Sequence, residues 1–215
     1  MPKPHFNTET LAFAEGHAIV CGVDEAGRGP WAGPVSAAAV ILDPENIPDG
    51  LNDSKQLTEA RRELLYAEIM ATSDVGIGLV SAAEIDRINI LQATFLAMSR
   101  AVQGLKAVPA LALVDGNRPP KLPCTVRTII EGDALSLSIA AASIIAKVTR
   151  DRLMADLDKL FPHYGFARHK GYGTAAHSAA LAQYGPCTEH RRSFAPIRAL
   201  TISSAFDSPR DSKDS

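Results

Sequence analysis

Asp24 and Glu25 are adjacent carboxylates closing an apolar run, Ala18-Ile19-Val20-Cys21-Gly22-Val23, and they open directly into Gly27-Arg28-Gly29-Pro30-Trp31-Ala32-Gly33-Pro34. Acidic side chains at the end of a buried strand are costly to desolvate unless a positive group meets them, and bare glycine backbone lets a ligand approach closely. A divalent cation is the simplest partner for such a pair. Two further acids follow strand-like or turn-like segments: Asp115 in Val114-Asp115-Gly116-Asn117, and Asp133 after Gly132. If the strands ending at Asp24 and Asp115 are sheet neighbours, their side chains converge at one edge, where Asp133, at the start of a long helix, can lean over the same point. Clustered carboxylates raise one another's pKa and are tolerated chiefly with cations between them. All-oxygen ligation suits Mg²⁺ or Mn²⁺ rather than zinc, and paired ions can orient a water on one side of a phosphate while stabilising the leaving oxygen on the other.

Each of these residues also has a plainer reading. Asp115 in Asp-Gly-Asn is equally a turn signal, and Asp133 ahead of a helix is a good N-cap, a role compatible with metal binding. Glu131, Asp53 and Asp151 are acidic alternatives, read as supporting or structural. The glycines of Gly27-Arg28-Gly29 suit either a hairpin turn or backbone that touches a sugar or phosphate, with an arginine at hand for charge. They do not form a nucleotide-binding loop, because Gly27 is followed by Arg-Gly rather than Lys-Ser/Thr and no Gly-x-Gly-x-x-Gly opens a helix. Lys55 lies in a loop ahead of a helix, either simply exposed or set to meet phosphate, and Lys147 and Lys170 are similar. Taken alone, Tyr172 is a core or loop aromatic and Trp31 a packing residue. His163 and His169 have a finger-like spacing without paired cysteines, which argues against zinc.

The elements that must position these groups alternate between strand and helix. Strands are expected near 18–24, 35–42, 75–80, 110–114 and 124–130, although Gly76 and Gly78 weaken the third. Helices are expected over 58–70, with Thr58 as cap and Leu64, Leu65 and Ile69 on one side, then over 81–88, 90–105 and about 135–160, the last rich in small residues suited to packing on a sheet. Such alternation indicates an α/β domain with a mixed sheet and helices on its faces. The organisation read from the chain is an N-terminal extension over 1–17, one domain over 18–200, and a disordered tail over 201–215, where there is little to bury.

Composition narrows the class. The 215 residues are 46% hydrophobic and 21% charged, enough for one domain with its own core. No apolar stretch is long enough to span a membrane, and the first ten residues lack a secretory pattern, so a cytosolic protein is expected. Cys21, Cys124 and Cys187 are odd in number and widely spaced, which argues against disulfides and a structural zinc site. A net charge of -2 gives no overall basic footprint for nucleic acid, but 147–192 gathers Lys147, Arg150, Arg152, Lys159, Arg168, Lys170, Arg191 and Arg192, either as a solvated face or as a local phosphate-tracking patch.

The stretch from Gly22 to Val35 resembles the signature of the type 2 ribonuclease H family, specifically bacterial ribonuclease HII. Four further segments match that family in order: Asn52-Asp53-Ser54-Lys55-Gln56-Leu57, Val114-Asp115-Gly116-Asn117, Gly132-Asp133 with 140–151, and His169-Lys170-Gly171-Tyr172-Gly173-Thr174. The resemblance spans roughly 22–194 and implies a ribonuclease H-like core with a helical C-terminal part. It implies Asp24, Glu25, Asp115 and Asp133 as the acidic catalytic and metal-binding set, with Mg²⁺ or Mn²⁺. It implies that Gly27, Arg28 and Gly29 contact the ribose at an RNA-DNA junction while Tyr172 packs on the neighbouring sugar; a backbone-and-tyrosine reader of the 2′-hydroxyl makes chemical sense. The implied reaction is hydrolysis of the RNA strand of RNA-DNA hybrids and nicking 5′ of single ribonucleotides in duplex DNA, leaving 5′-phosphate and 3′-hydroxyl ends. A monomer is expected. Ala205-Phe206-Asp207 is too thin a motif to support a sliding-clamp partner. Two other readings stay open: a non-catalytic hybrid binder, which the intact acidic set disfavours, and a different nuclease on the same fold, which the Gly-Arg-Gly and Tyr172 pairing disfavours.

Overall fold

The computed structural model describes residues 3–206. Five strands form one mixed sheet: β1 (Val20–Ala26), β2 (Val35–Ile41), β3 (Asp74–Val80), β4 (Leu111–Asp115) and β5 (Thr125–Ile129), in the order β3-β2-β1-β4-β5. The first three are antiparallel neighbours, whereas β4 runs parallel to β1 and β5 parallel to β4. In the β1/β4 register Val23 faces Val114, so one further step sets Asp24 beside Asp115. Side chains alternate between faces along a strand, which puts Asp24 and Asp115 on one face and Glu25 on the other.

Helices cover both faces. Helices α1 (Asn7–Ala14), α2 (Glu59–Thr72) and α4 (Leu137–Leu160) lie on the Asp24 side, and α3 (Ala82–Gln103) lies on the Glu25 side. Thr58 caps α2 by accepting from the Arg61 amide, as its sequence position suggests. Leu65 and Ile69 are buried, but Leu64 is 63% exposed: one residue before Leu65, it is turned off the apolar stripe. The two helices expected over 81–105 run together as α3, broken at Asn89, whose φ of 67° is non-helical and whose Oδ1 accepts from the amides of Leu91 and Gln92 to restart the helix.

Close backbone approach explains the glycines that weakened the strand readings. A Cβ on Gly76 or Gly78 would lie 1.9 or 2.0 Å from the carbonyl oxygen of Ala101 or Ala97, so α3 can sit this near β3 only without side chains there. Gly22 does the same for β1, where α4 presses the Ser138–Ile139 peptide against the strand.

Helix α1 is part of this packing. Glu9 of α1 is buried, and its Oε1 accepts from Ser136 Oγ (2.5 Å) and from the Ser138 amide (2.9 Å) at the start of α4. A third apolar cluster, with Met154, Tyr164, Phe166, Leu181 and Ile197, joins the end of α4 to α5 (Phe166–His169), α6 (Ala175–Tyr184) and α7 (Ala195–Phe206). The last helix continues past residue 201, where a disordered tail was expected to begin; residues 207–215 of that expectation lie outside the described residues. No described helix is long and apolar enough to cross a membrane.

Candidate active site at the edge of the sheet

The C-terminal ends of β1 and β4 deliver the acids to one edge. Asp24 is 5% exposed, and its Oδ1 accepts from the Glu25 amide at 2.7 Å. Burial, then the charges of Glu25 and Asp115, push its carboxyl well above the usual range, against hydrogen bonds from Ser143 and the Glu25 amide. Glu25 is raised too, chiefly by burial; Arg28, with Nη1 at 3.2 Å from its Oε1, works the other way. Asp115 Oδ1 accepts from the Gly132 amide at 2.8 Å, tying the end of β4 to the turn that carries Asp133.

Asp133 stands elsewhere in its local structure than its sequence position suggests. It lies in a single 3₁₀ turn, Gly132–Ala134, and Ser136 caps α4 instead, accepting from the Ile139 amide. A hydroxyl at the position just before the helix fits the cap better than a carboxylate held three residues away. Asp133 is 7% exposed, and burial followed by the charges of Asp53 and Asp115 raises its pKa to about 6, opposed by Lys55. Lys55 Nζ is 3.7 Å from Asp133 Oδ2 and 3.9 Å from Asp53 Oδ1. Asp53 also accepts from the Lys55 amide, so it orients this lysine. Glu131, the residue before this turn, is exposed, and Asp151 pairs with Lys147 at 2.7 Å.

Asp24, Glu25, Asp115, residues 27–29, Lys55 and Tyr172 line a single cleft of about 360 Å³. Tyr172 is half exposed, with its ring edge against Gly29. Asp133 does not line this cleft and is linked to it through its pairing with Lys55, which does. Among the described residues no three His, Cys, Asp or Glu side chains close around a metal ion by themselves. The donor chemistry nonetheless fits a hard cation. Several carboxylates share one low-dielectric edge with mutual repulsion, and Mg²⁺ in particular is commonly held by one or two carboxylates together with substrate phosphate rather than by an all-protein cage.

Comparison with known proteins decides between the chemistries such an edge can support. The family model for ribonuclease HII matches residues 21–197. The ribonuclease HII of Xanthobacter autotrophicus is 59% identical over 193 residues, 90% of this chain and 78% of its own length. The chain belongs to the ribonuclease HII family.

Ribonuclease HII of Caulobacter vibrioides is 56% identical, over 94% of this chain and 96% of its own. The crystal structure of ribonuclease H2 from Pyrococcus horikoshii OT3 superposes with a TM-score of 0.72 at 32% identity, covering 86% of this chain and 98% of that one. Membership makes this chain an endoribonuclease, with ribonuclease H activity on RNA-DNA hybrids.

The basic C-terminal segment divides in the structure: Arg152, Lys159, Arg168 and Arg192 are exposed, as a solvated face requires, and others turn inward. Arg150 and Arg191 are buried, as are His177 and His190. His177 Nδ1 lies 3.0 Å from the Tyr172 carbonyl and must carry the proton, because a carbonyl only accepts. Its Nε2 therefore accepts from His190 Nε2 (2.9 Å), and His190 Nδ1 accepts from the Cys187 amide (3.0 Å). Both rings are neutral in this chain of bonds, consistent with a His190 pKa pushed down to about 4 by burial and by neighbouring His177. The relay's partners are near one another in sequence, Tyr172 and His177 5 positions apart, His177 and His190 13, and Cys187 and His190 3, but no periodic or motif signal marks them as a buried relay.

Proposed function

We propose that this enzyme hydrolyses a phosphodiester of the RNA strand in RNA-DNA hybrids and nicks on the 5′ side of a single ribonucleotide embedded in duplex DNA, leaving 5′-phosphate and 3′-hydroxyl ends. The observation that carries the reading is the meeting, in one cleft, of the carboxylates ending β1 and β4 with the Gly27-Arg28-Gly29 turn and Tyr172. Asp24, Glu25, Asp115 and Asp133 are the residues that would hold Mg²⁺ or Mn²⁺. When bound there, such ions supply an activated water and electrostatic relief for the leaving oxygen.

The chain's own groups have distinct tasks in this account. Asp24, locked by the Glu25 amide and by Ser143, presents a preset oxygen at the edge of the sheet. Lys55 offers a cation to a phosphate of the incoming strand while restraining Asp133. Arg28 is half exposed and pairs with Glu25, so it can swing between the carboxylate and a phosphate. Tyr172 presents a flat apolar ring and a hydroxyl to a sugar, and Gly29 beneath it keeps the backbone bare. The substrate is nucleic acid, and the enzyme acts as a monomer.

The test compares three labelled duplexes of one sequence: an RNA-DNA hybrid, a DNA duplex with one ribonucleotide, and all-DNA, each with Mg²⁺, with Mn²⁺ and with EDTA. Cutting of the first two only, and only with metal, is expected. Equal cutting of all-DNA, or cutting in EDTA, would overturn the reading.

A further inference from the structure

The turn over residues 27–34 wraps around two guanidinium groups. Arg191 is 0% and Arg150 1% exposed, and neither forms an ion pair among the described residues. Both spend their donors on backbone carbonyls instead. Arg150 donates to Pro34, Lys170 and Ala32 (2.9, 2.9 and 3.1 Å). Arg191 donates to Gly27 (2.6 Å), Arg28 (3.0 Å), Pro30 (2.8 Å) and Gly33 (3.0 Å). Burying an arginine without a carboxylate is costly, and burial together with the charge of Arg150 lowers the Arg191 pKa to about 9.

Peptide planarity turns these contacts into a statement about the cleft. No cis peptide occurs among the described residues, and in a trans peptide the C=O of one residue and the N–H of the next point in opposite directions. Drawing the carbonyls of Gly27 and Arg28 inward onto Arg191 therefore turns the amides of Arg28 and Gly29 outward, towards the cleft that residues 27–29 line. Neither amide has an acceptor within the described protein, whereas the nearby amides of Trp31 and Gly33 are committed to Gly171 and Glu189. Two successive outward amides make a small acceptor-binding concavity. The Tyr172 ring stands beside it, 3.5 Å from where a Cβ on Gly29 would be.

We propose that Arg191 is a positioning residue for substrate discrimination: by anchoring the Gly27 and Arg28 carbonyls it aims the Arg28 and Gly29 amides at the 2′-oxygen of the ribonucleotide. The inference rests on the reading that this cleft receives the ribonucleotide. A lysine at 191 keeps the charge but has a single nitrogen that cannot reach four carbonyls in a fixed fork.

The experiment measures binding of ribonucleotide-containing and all-DNA duplexes in an Asp24→Asn background, where the substrate survives, with and without Arg191→Lys. The expected result is that Arg191→Lys lowers the ribonucleotide-over-DNA affinity ratio roughly tenfold, as loss of one or two well-aimed hydrogen bonds requires, while affinity for all-DNA changes far less. Leu65→Ala, a remote core truncation, controls for lost stability and is expected to leave the ratio alone. A folded Arg191→Lys protein with an unchanged ratio overturns the inference but not the cleft assignment; a parent with no preference for the ribonucleotide overturns the cleft assignment itself. Should Arg191→Lys not fold, the unmutated turn supplies the answer by NMR. The Arg28 and Gly29 amide resonances are expected to move on adding ribonucleotide duplex and not on adding all-DNA, and resonances that ignore the ribonucleotide overturn the proposal.

Discussion

Gly22→Ala is the smallest change that tests how the sheet edge is built. A Cβ on Gly22 falls 2.1 Å from the Ser138 carbonyl carbon and 2.3 Å from both the Ser138 oxygen and the Ile139 nitrogen. Ordinary contact starts near 3.4 Å, so β1 and α4 must separate by about 1.3 Å. Overpacking costs ~1–3 kcal/mol when side chains can yield, and because main-chain atoms cannot, a figure of about 3 kcal/mol applies here. For a chain of this size each kcal/mol moves Tm by ~2–4 °C, which predicts a fall of roughly 6–12 °C by thermal denaturation. Asp24 is two residues downstream, so turnover measured well below the lowered Tm falls as well, by up to ~100-fold for a displacement near 1 Å. Gly104→Ala is the control: its Cβ meets nothing nearer than 3.4 Å and its φ is -79°, so stability stays within ~0.5 kcal/mol. A Gly22→Ala protein whose Tm and turnover match the parent would refute the claim that bare backbone at this position sets the helix against the strand.

Three further outcomes follow from the same geometry. Asp24→Asn removes one of several crowded, buried charges and is expected to abolish turnover while raising Tm and leaving duplex binding measurable; near-normal turnover would remove Asp24 from the site. Ser81→Ala breaks the capping box with Glu84 at the start of α3 and should cost ~1 kcal/mol by urea titration. His190 has a folded pKa of about 4 against 6.5 when exposed, so the stability of its neutral form is complete above pH 6.5 and is lost as pH falls towards 4, where the unfolded chain takes up the proton first. His177, His169, Cys187 and Tyr164 surround this ring. The Tm advantage of the parent over His190→Gln should therefore narrow between pH 6.5 and 4, and an advantage that stays constant would count against a neutral His190.

What was legible in the sequence follows the range of the forces involved. Asp24 and Asp115 could be placed at strand ends because apolar runs and turn residues are local signals, and Asn89 divides the helix where the periodicity pauses. Their adjacency could not be read, since it is set by the parallel register of β1 and β4. Capping was one of two compatible readings of Asp133, and Ser136 performs it instead, because either residue type suits the end of a loop and the 3₁₀ turn between them leaves no periodic trace. Gly76 and Gly78 weakened a strand that in fact depends on them, their purpose being the approach of α3. Arg191 and the His177–His190 relay were not distinguishable from surface basic residues, because Arg191 bonds to main-chain carbonyls over 150 positions away, which carry no residue-type signal.

The central claim is tested most directly by mapping the cut in a DNA duplex carrying one ribonucleotide, with each end of the nick identified chemically. The account predicts a single nick immediately 5′ of the ribonucleotide, a 3′-hydroxyl on one fragment and a 5′-phosphate on the other, and no product in EDTA. A cut on the 3′ side, or a 2′,3′-cyclic phosphate end showing that the 2′-hydroxyl rather than water attacked, would contradict it.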